Sequence, residues 1–357
     1  MSLISRINTR IMELLPARGG LHIYLAPRRL VAVVRRGGRI VEDGALHIPL
    51  VNPGSQWKIP VAALRGLLGQ TATPGTVPPR SPSRALATAG GAEGLSPDSR
   101  RGAIDRAVAA RLPVSISLSG RWCQMVLAPW SDALMAEPAA SRFLQMQLSA
   151  VYGDAARTWS VSCDDAPYGH PRLACGIDAD LLESLQSILA EHRLRCAAIE
   201  PLVGTVCRTL DGKPTAFAVA EQGRLSMAVL SRSRVTAFQT QPCGDNWHNE
   251  LAQAWQRWTL RAPELAAIDD VAVMDLSGVA RHAQADRLPA HFRLVEPPFG
   301  PAADFSRPND TANAAAPLHR APPAAQAEAK AATEVGAEAA AATEAGDSAM
   351  VKLGAAA

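Results

Sequence analysis

Two short polar turns, each between two apolar runs, contain the residues whose chemistry could serve a function. The first run–turn–run segment is Leu21–Val34 and the second is Ala216–Leu230. This pattern predicts a β-hairpin in each place. Arg28 and Arg29 lie in the first turn and carry the charge needed to contact a phosphate. The alternative, which we favour, is that both arginines are solvated turn residues.

Each predicted hairpin is followed by a third strand and then by an amphipathic helix. The helices are predicted over Trp57–Leu68 and Asn246–Leu260. The chain therefore contains a duplicated unit. Apolar residues recur at helical spacing in the second helix and indicate a buried face more than a platform for stacking bases. They are Trp247, Leu251, Trp255 and Trp258.

Composition excludes several classes of function. Of the 357 residues 48% are hydrophobic, which is enough for a core. The net charge of +3 is too small to indicate nucleic acid as a partner. The six cysteines lack CxxC spacing and predict neither a metal site nor a disulfide framework. No secretory signal or membrane span is predicted, so we expect a cytoplasmic protein.

The region between the duplicated units predicts further alternating strands and helices. Leu112–Ser119 alternates as a strand does, and Arg121–Ala128 is predicted to be its hairpin partner. Asp178 is a predicted N-cap for a helix over Ala179–His192.

These elements predict an amphipathic N-terminal helix (1–18) and two subdomains, 19–203 and 204–290. Residues 71–103 are rich in Pro, Gly and Arg and are predicted to be a flexible insertion in the first subdomain. Residues 291–357 are rich in Pro and Ala and are predicted to be a disordered tail.

This plan resembles the actin-like ATPase fold, an α/β, duplicated (ribonuclease H-like) two-domain fold. Within it, residues 112–245 resemble the PilM type of type IV pilus assembly protein, the cytoplasmic domain of the type II secretion GspL type, and MshI-like proteins. The resemblance covers about three quarters of the chain in the order of elements, and its residue motifs are loose. It depends on four segments: Val114–Ser119 with its partner leading to Leu127–Pro129, Arg172–Leu194, Ala197–Pro201, and the second hairpin, which ends in Gln241–Gly244.

Active proteins of this fold bind phosphate with an Asp-x-Gly turn in each half. The carboxylate positions Mg²⁺ or water, and the glycine lets backbone N–H groups approach the phosphate. Here Tyr24 and Ala26 stand at the Asp and Gly positions of the first turn, where Pro27 also lacks an N–H donor. Val219 and Glu221 stand at those of the second turn. The resemblance therefore implies a pseudo-ATPase with no catalytic residue and no metal site.

One segment of the second half resembles the adenosine-binding loop of this fold. Its candidates are Ser277 and Gly278, although Ser-Gly after a strand is common by chance. No cofactor is expected under the pseudo-ATPase interpretation. The alternative is an active ATPase or kinase of the same fold that binds ATP and Mg²⁺ through unorthodox phosphate loops.

The N-terminal helix has an apolar face flanked by arginines. This face is typical of a helix that contacts a membrane surface or a partner's groove, and packing on its own domain is an equal alternative. The segment Met12–Pro16 also resembles the Leu-Leu-Pro segment by which pilus partner proteins dock on PilM-type clefts. The candidate contact residues are Ile4, Ile7, Ile11, Leu14 and Leu15.

Together these observations predict a cytoplasmic scaffold at the periphery of a bacterial inner membrane. It would serve a type IV pilus or a type II secretion-like assembly platform and hold the cytoplasmic tail of a single-span membrane protein in its cleft. A soluble domain attached to no machine is a third class, and the sequence leaves self-association into a homo-oligomer open.

Overall fold

The structure is a computed structural model that describes residues 19–69, 97–210, 215–232, 234–278 and 288–300. The predicted N-terminal helix with its five contact candidates lies outside these ranges, as do most of the predicted insertion and the chain beyond 300. Every helix within these ranges is too short or too polar to cross a bilayer.

The first predicted hairpin belongs to a five-stranded sheet in the order β3-β2-β1-β4-β8. Neighbours β1/β2 and β2/β3 are antiparallel, whereas β1/β4 and β4/β8 are parallel. Nearly all side chains on both faces of β1 and β2 are buried and apolar, because helices pack against these central strands. The strands are β1 (Gly20–Ala26), β2 (Arg29–Arg36), β3 (Arg39–Pro49), β4 (Val114–Leu118) and β8 (Cys196–Pro201).

The second hairpin belongs to a sheet with the same plan, in the order β11-β10-β9-β12-β13. Its first two pairings are antiparallel and its last two parallel, as in the first sheet. The two identical topologies confirm the predicted fold, a duplicated actin-like α/β fold. The strands are β9 (Ala216–Glu221), β10 (Arg224–Ser231), β11 (Arg234–Pro242), β12 (Val271–Leu276) and β13 (Phe292–Val295).

A third sheet has three strands in the order β5-β7-β6: Cys123–Ala128, Arg172–Asp178 and Trp159–Cys163. The prediction that Arg121–Ala128 pairs with the preceding strand was wrong. That preceding strand, β4, lies between β1 and β8, so both of its edges are already occupied and β5 pairs with β7 instead.

Six α-helices cover the sheets within the described ranges. The helix expected at Ala179–His192 begins after an Asp178 N-cap whose carboxylate accepts from the Leu181 N–H at 3.1 Å. The tryptophan face of the last helix is buried, as predicted. The helices are α1 (Lys58–Gly69), α2 (Pro97–Ala109), α3 (Ala139–Tyr152), α4 (Ala179–Glu191), α5 (Leu202–Thr209) and α6 (Trp247–Arg261).

Two predicted boundaries differ from the structure. Helix α2 begins at Pro97, inside the predicted insertion 71–103, because Ile104 and Val108 pack it against the first sheet. Strand β13 lies inside the predicted tail 291–357, because Phe292–Val295 pairs with β12. The boundary between the two subdomains at residue 203 stays a prediction.

One hydrophobic core extends from the first sheet into the second. It contains Ile23 and Ile116 of the first half together with Phe217 and Met274 of the second. Parallel neighbours end at the same edge of a sheet, so β1 and β4 end together and β9 and β12 end together. Ligands of open α/β sheets bind at such carboxyl edges. The search for a site therefore begins there.

Candidate functional site: the cleft between the two hairpin turns

The two hairpin turns occupy equivalent places in the two sheets. Ala26 pairs with Arg29 across the first turn, and Glu221 pairs with Arg224 across the second. Ala26 and Glu221 are therefore the last residues of their strands. They stand at the positions to which the resemblance assigns glycine.

The carboxylate of Glu221 joins the two halves of the molecule. Its Oε1 accepts a hydrogen bond from the Tyr24 hydroxyl at 2.7 Å, and its Oε2 accepts one from the Gly120 backbone N–H at 2.9 Å. Glu221 is only 4% exposed. A backbone N–H and a hydroxyl are donors of the kind that bind phosphate in proteins, and here both donate to a carboxylate.

Tyr24 remains a donor in this pair because its hydroxyl stays protonated. Burial raises its pKa well above the usual value, and the neighbouring Glu221 carboxylate raises it further, although the Arg29 guanidinium opposes this in part. The ring is fully buried. A neutral hydroxyl beside a buried carboxylate gives a charge-assisted hydrogen bond, which is stronger than a neutral one.

Gly120 permits the close approach of Glu221. A Cβ at this position would lie 2.9 Å from Glu221 Oε2 and 3.3 Å from Arg224 Cδ. The residue lies two positions after the end of β4, so it brings a backbone N–H from the first half to the end of β9 in the second. No pattern around Gly120 pointed to this contact.

The predicted adenosine-loop candidates pack against the first turn. Gly278 has φ +81°, and a Cβ there would lie 2.6 Å from Arg29 Nη2. Ser277 donates from both its N–H and its hydroxyl to Asp275 Oδ1, at 2.9 and 2.7 Å. Arg29 thus lies against the second half and is only partly exposed, which differs from the favoured prediction that both arginines are solvated. Arg28 is exposed at the rim.

These contacts close the space between the turns. A small cavity lined by Tyr24, Arg29, Glu221 and Leu276 has no room for a water molecule. Val219, at the second Asp position, is buried in the shared core. In this arrangement the two turns present side chains to each other.

The thiols near the cleft lack the properties of activated nucleophiles. Burial, and then the charges of Glu250 and Glu221, raise the pKa of Cys243 to about 12. Its thiol donates to the Glu221 carbonyl oxygen at 3.7 Å. Burial also raises the pKa of Cys123 well above its usual value. A reactive cysteine needs a lowered pKa. Among the described residues no group of three or more His, Cys, Asp or Glu is placed to hold a metal ion.

Sequence reasoning also missed Phe299, an aromatic residue of the cleft. Phe299 is 1% exposed, and its ring stacks on that of Tyr24 with centroids 5.0 Å apart and planes at 14°. It lies in the segment that was assigned to the tail. The signal that could have found it is a single aromatic residue after two prolines, since prolines fix an extended backbone that presents the next side chain.

Comparisons with known proteins give similarity of structure alone. No family model matches the chain, and no curated protein matches it. Three solved structures are similar at low identity. The cytoplasmic domain of EpsL, an inner membrane component of the Vibrio cholerae type II secretion system, has a TM-score of 0.44 and 10% identity, and the match covers 81% of this chain and 93% of that one.

The second is the PilM–PilN type IV pilus biogenesis complex, with a TM-score of 0.47, 11% identity, and coverage of 82% and 100%. The third is a Bacteroides thetaiotaomicron protein with an actin-like ATPase fold, with a TM-score of 0.45, 8% identity, and coverage of 81% and 95%. The topology of the two sheets, and not these low identities, identifies the fold.

Proposed function

We propose that the chain is a scaffold that has lost nucleotide binding and holds a partner peptide in the cleft between its two halves. The single observation that carries this proposal is the position of the Glu221 carboxylate, bound by Tyr24 and Gly120. A phosphate at this place would have to displace a buried carboxylate and would lie beside its charge. Like charges at contact distance in a site of low dielectric repel strongly.

The rim of this closed cleft has features that suit a peptide. Parallel strands of both sheets end at it, and exposed Arg28 offers a positive charge at the rim. A peptide can bind through backbone hydrogen bonds and apolar pockets and needs no phosphate cradle. The sequence resemblance to PilM- and GspL-type proteins supports a place on the cytoplasmic face of a bacterial inner membrane, in a type IV pilus or type II secretion-like assembly platform.

Capture from native inner membranes tests this function. Full-length chain immobilised on beads should retain a single-span inner-membrane protein of such a machine from detergent extract, and a synthetic peptide of that protein's cytoplasmic tail should release it. Arg28→Glu should weaken the capture because it reverses the charge at the rim. Arg36→Glu is the matched control, since Arg36 is also exposed and lies at the end of β2 away from the turn that contains Arg28.

Equal capture by both variants would contradict a docking site at the cleft. Capture that the tail peptide does not reverse would contradict recognition through the tail. The alternative function, an active ATPase or kinase, predicts instead that Mg·ATP binds and that no membrane protein is needed for activity. These two proposals are therefore separated by the same preparation of protein.

A further inference from the structure

The segment Glu296–Gly300 crosses from the second half of the molecule to the first. It follows edge strand β13, and its Pro298 carbonyl oxygen accepts a hydrogen bond from Arg35 Nη2 on β2 at 2.7 Å. The Phe299 ring, which is 1% exposed, then stacks on Tyr24. This segment contacts β1 and β2 as a separate bound peptide would, with one backbone acceptor and one buried aromatic side chain.

Arg35 has more binding capacity than this segment uses. Its Nε is buried and has no acceptor among the described residues. No ion pair of Arg35 with a described carboxylate exists, and burial lowers its pKa. Nε and Nη2 lie on one edge of the guanidinium, which matches the two oxygens of a carboxylate. A single carbonyl oxygen engages only half of that edge.

We propose that the Tyr24 ring and the Arg35 guanidinium form a peptide-binding socket that Glu296–Gly300 fills in cis. The partner segment that replaces it carries an aromatic side chain for Tyr24 and an adjacent carboxylate for Arg35. Two charge-assisted hydrogen bonds then replace one bond to a neutral carbonyl, so the partner displaces the cis segment. This inference rests on the proposed function, because that function places a partner's tail in this cleft.

Two labelled peptides test the socket by fluorescence anisotropy. One copies residues 294–301, and the other is the same peptide with the substitution Pro298→Asp. The Asp peptide should bind full-length Phe299→Ala about tenfold more tightly than the wild-type chain, because the socket is then empty. It should also bind about tenfold more tightly than the unsubstituted peptide. Arg35→Met should abolish this second difference, and Arg36→Met, on the exposed neighbour, should preserve it.

Two results would overturn the inference. Equal affinity for the wild-type chain and Phe299→Ala would show that the segment does not occupy the socket. An Asp-peptide advantage that survives Arg35→Met would show that the guanidinium does not select a carboxylate. Circular dichroism melting establishes that each variant is folded before titration.

A measurement on the unmodified chain covers the case in which Phe299→Ala does not fold. The Gly300 N–H donates to the Pro297 carbonyl oxygen at 3.3 Å within the bound segment. Saturating Asp peptide should accelerate hydrogen exchange of the Gly300 amide as the segment leaves the socket. Unchanged exchange at saturating peptide would overturn displacement.

Failure of this inference is distinguishable from failure of the proposed function. If a membrane protein is captured through its tail and neither Phe299→Ala nor Arg35→Met changes the capture, the socket fails while the scaffold function stands. If the peptides bind as described but no membrane protein is captured, the socket stands and the scaffold function fails.

Discussion

Replacing Tyr24 with Phe and Glu221 with Gln, singly and together, measures how strongly the two halves are joined. Tyr24→Phe removes the hydroxyl that donates at 2.7 Å to a carboxylate that is 4% exposed. A hydrogen bond to a charged group contributes about 1.5–3 kcal/mol, and a buried acceptor left without its donor costs a similar amount. We therefore expect Tyr24→Phe to lower the free energy of unfolding by about 2 kcal/mol.

Glu221→Gln keeps the size of the side chain but removes its charge and one acceptor. If Tyr24 and Glu221 act as one pair, the double variant is less destabilised than the sum of the single variants. The coupling energy should be about 1–2 kcal/mol, since the charged bond is lost only once. Urea denaturation followed by circular dichroism gives all four free energies of unfolding.

An exposed pair of the same chemistry provides the control. The Tyr168 hydroxyl lies 3.5 Å from Asp132 Oδ1, and Tyr168 is 70% exposed. Tyr168→Phe should change the free energy of unfolding by less than about 0.5 kcal/mol. A coupling energy for the Tyr24–Glu221 pair below about 0.5 kcal/mol would refute the reasoning, because independent sites are additive within that range.

Three further predictions concern the same region and its surroundings. Gly120→Ala should lower the free energy of unfolding by about 1–3 kcal/mol in urea denaturation, because its Cβ would meet Glu221. Gly66→Ala is the control and should not destabilise the chain, because Gly66 is at an exposed helix position with nothing within 4 Å. Equal losses of stability in the two variants would contradict the close approach of Gly120 to Glu221. Burial, and then the charge of Arg35, lower the pKa of His22 from 6.5 to about 4. The free energy of unfolding should therefore fall by up to about 3 kcal/mol as the pH is lowered from 6.5 to 4, because the unfolded chain binds the proton more tightly. His22→Gln should remove this loss when urea denaturation is compared at pH 6.5 and pH 4. Deletion of residues 1–18 should reduce membrane association, measured by vesicle flotation, or partner capture. If the deletion changes neither flotation nor capture, the predicted docking role of this segment is contradicted.

Local sequence patterns predicted much of the fold because each pattern has a local physical cause. The turns at Pro27-Arg28 and Gln222-Gly223 separate apolar runs that can only be strands. Apolar side chains at helical spacing together with the Asp178 cap are enough to define α4. The duplication followed from finding the same order of elements twice.

Features that depend on distant pairing were missed. Residues Ser119–Trp122 between two apolar runs resemble a hairpin turn, and only the parallel pairing of β4 with β1 and β8 excludes it. Helix α2 escaped notice because its buried side consists of two branched residues and two alanines in an otherwise charged segment. Phe299 was missed because a single aromatic residue among prolines has no periodicity, and its partner Tyr24 lies 275 residues earlier in the chain.

Within the cleft, the sequence showed which residues stand at the Asp and Gly positions of the two turns, but it did not show what these residues contact. The sequence indicated that Glu221 brings a carboxylate to a place where an anion should bind. It did not indicate that Tyr24 and Gly120 satisfy that carboxylate, because both donors come from other strands. The residues that stand at the expected phosphate position therefore also join the two halves.

Calorimetric titration of Mg·ATP into the full-length protein tests the central claim, that the chain's own side chains fill the nucleotide position. The Glu221 carboxylate and the closed space between the turns predict no saturable heat from micromolar to low-millimolar Mg·ATP, and no rise in melting temperature over the same range. Saturable binding in that range at one nucleotide per chain, with a matching rise in melting temperature, would contradict the account.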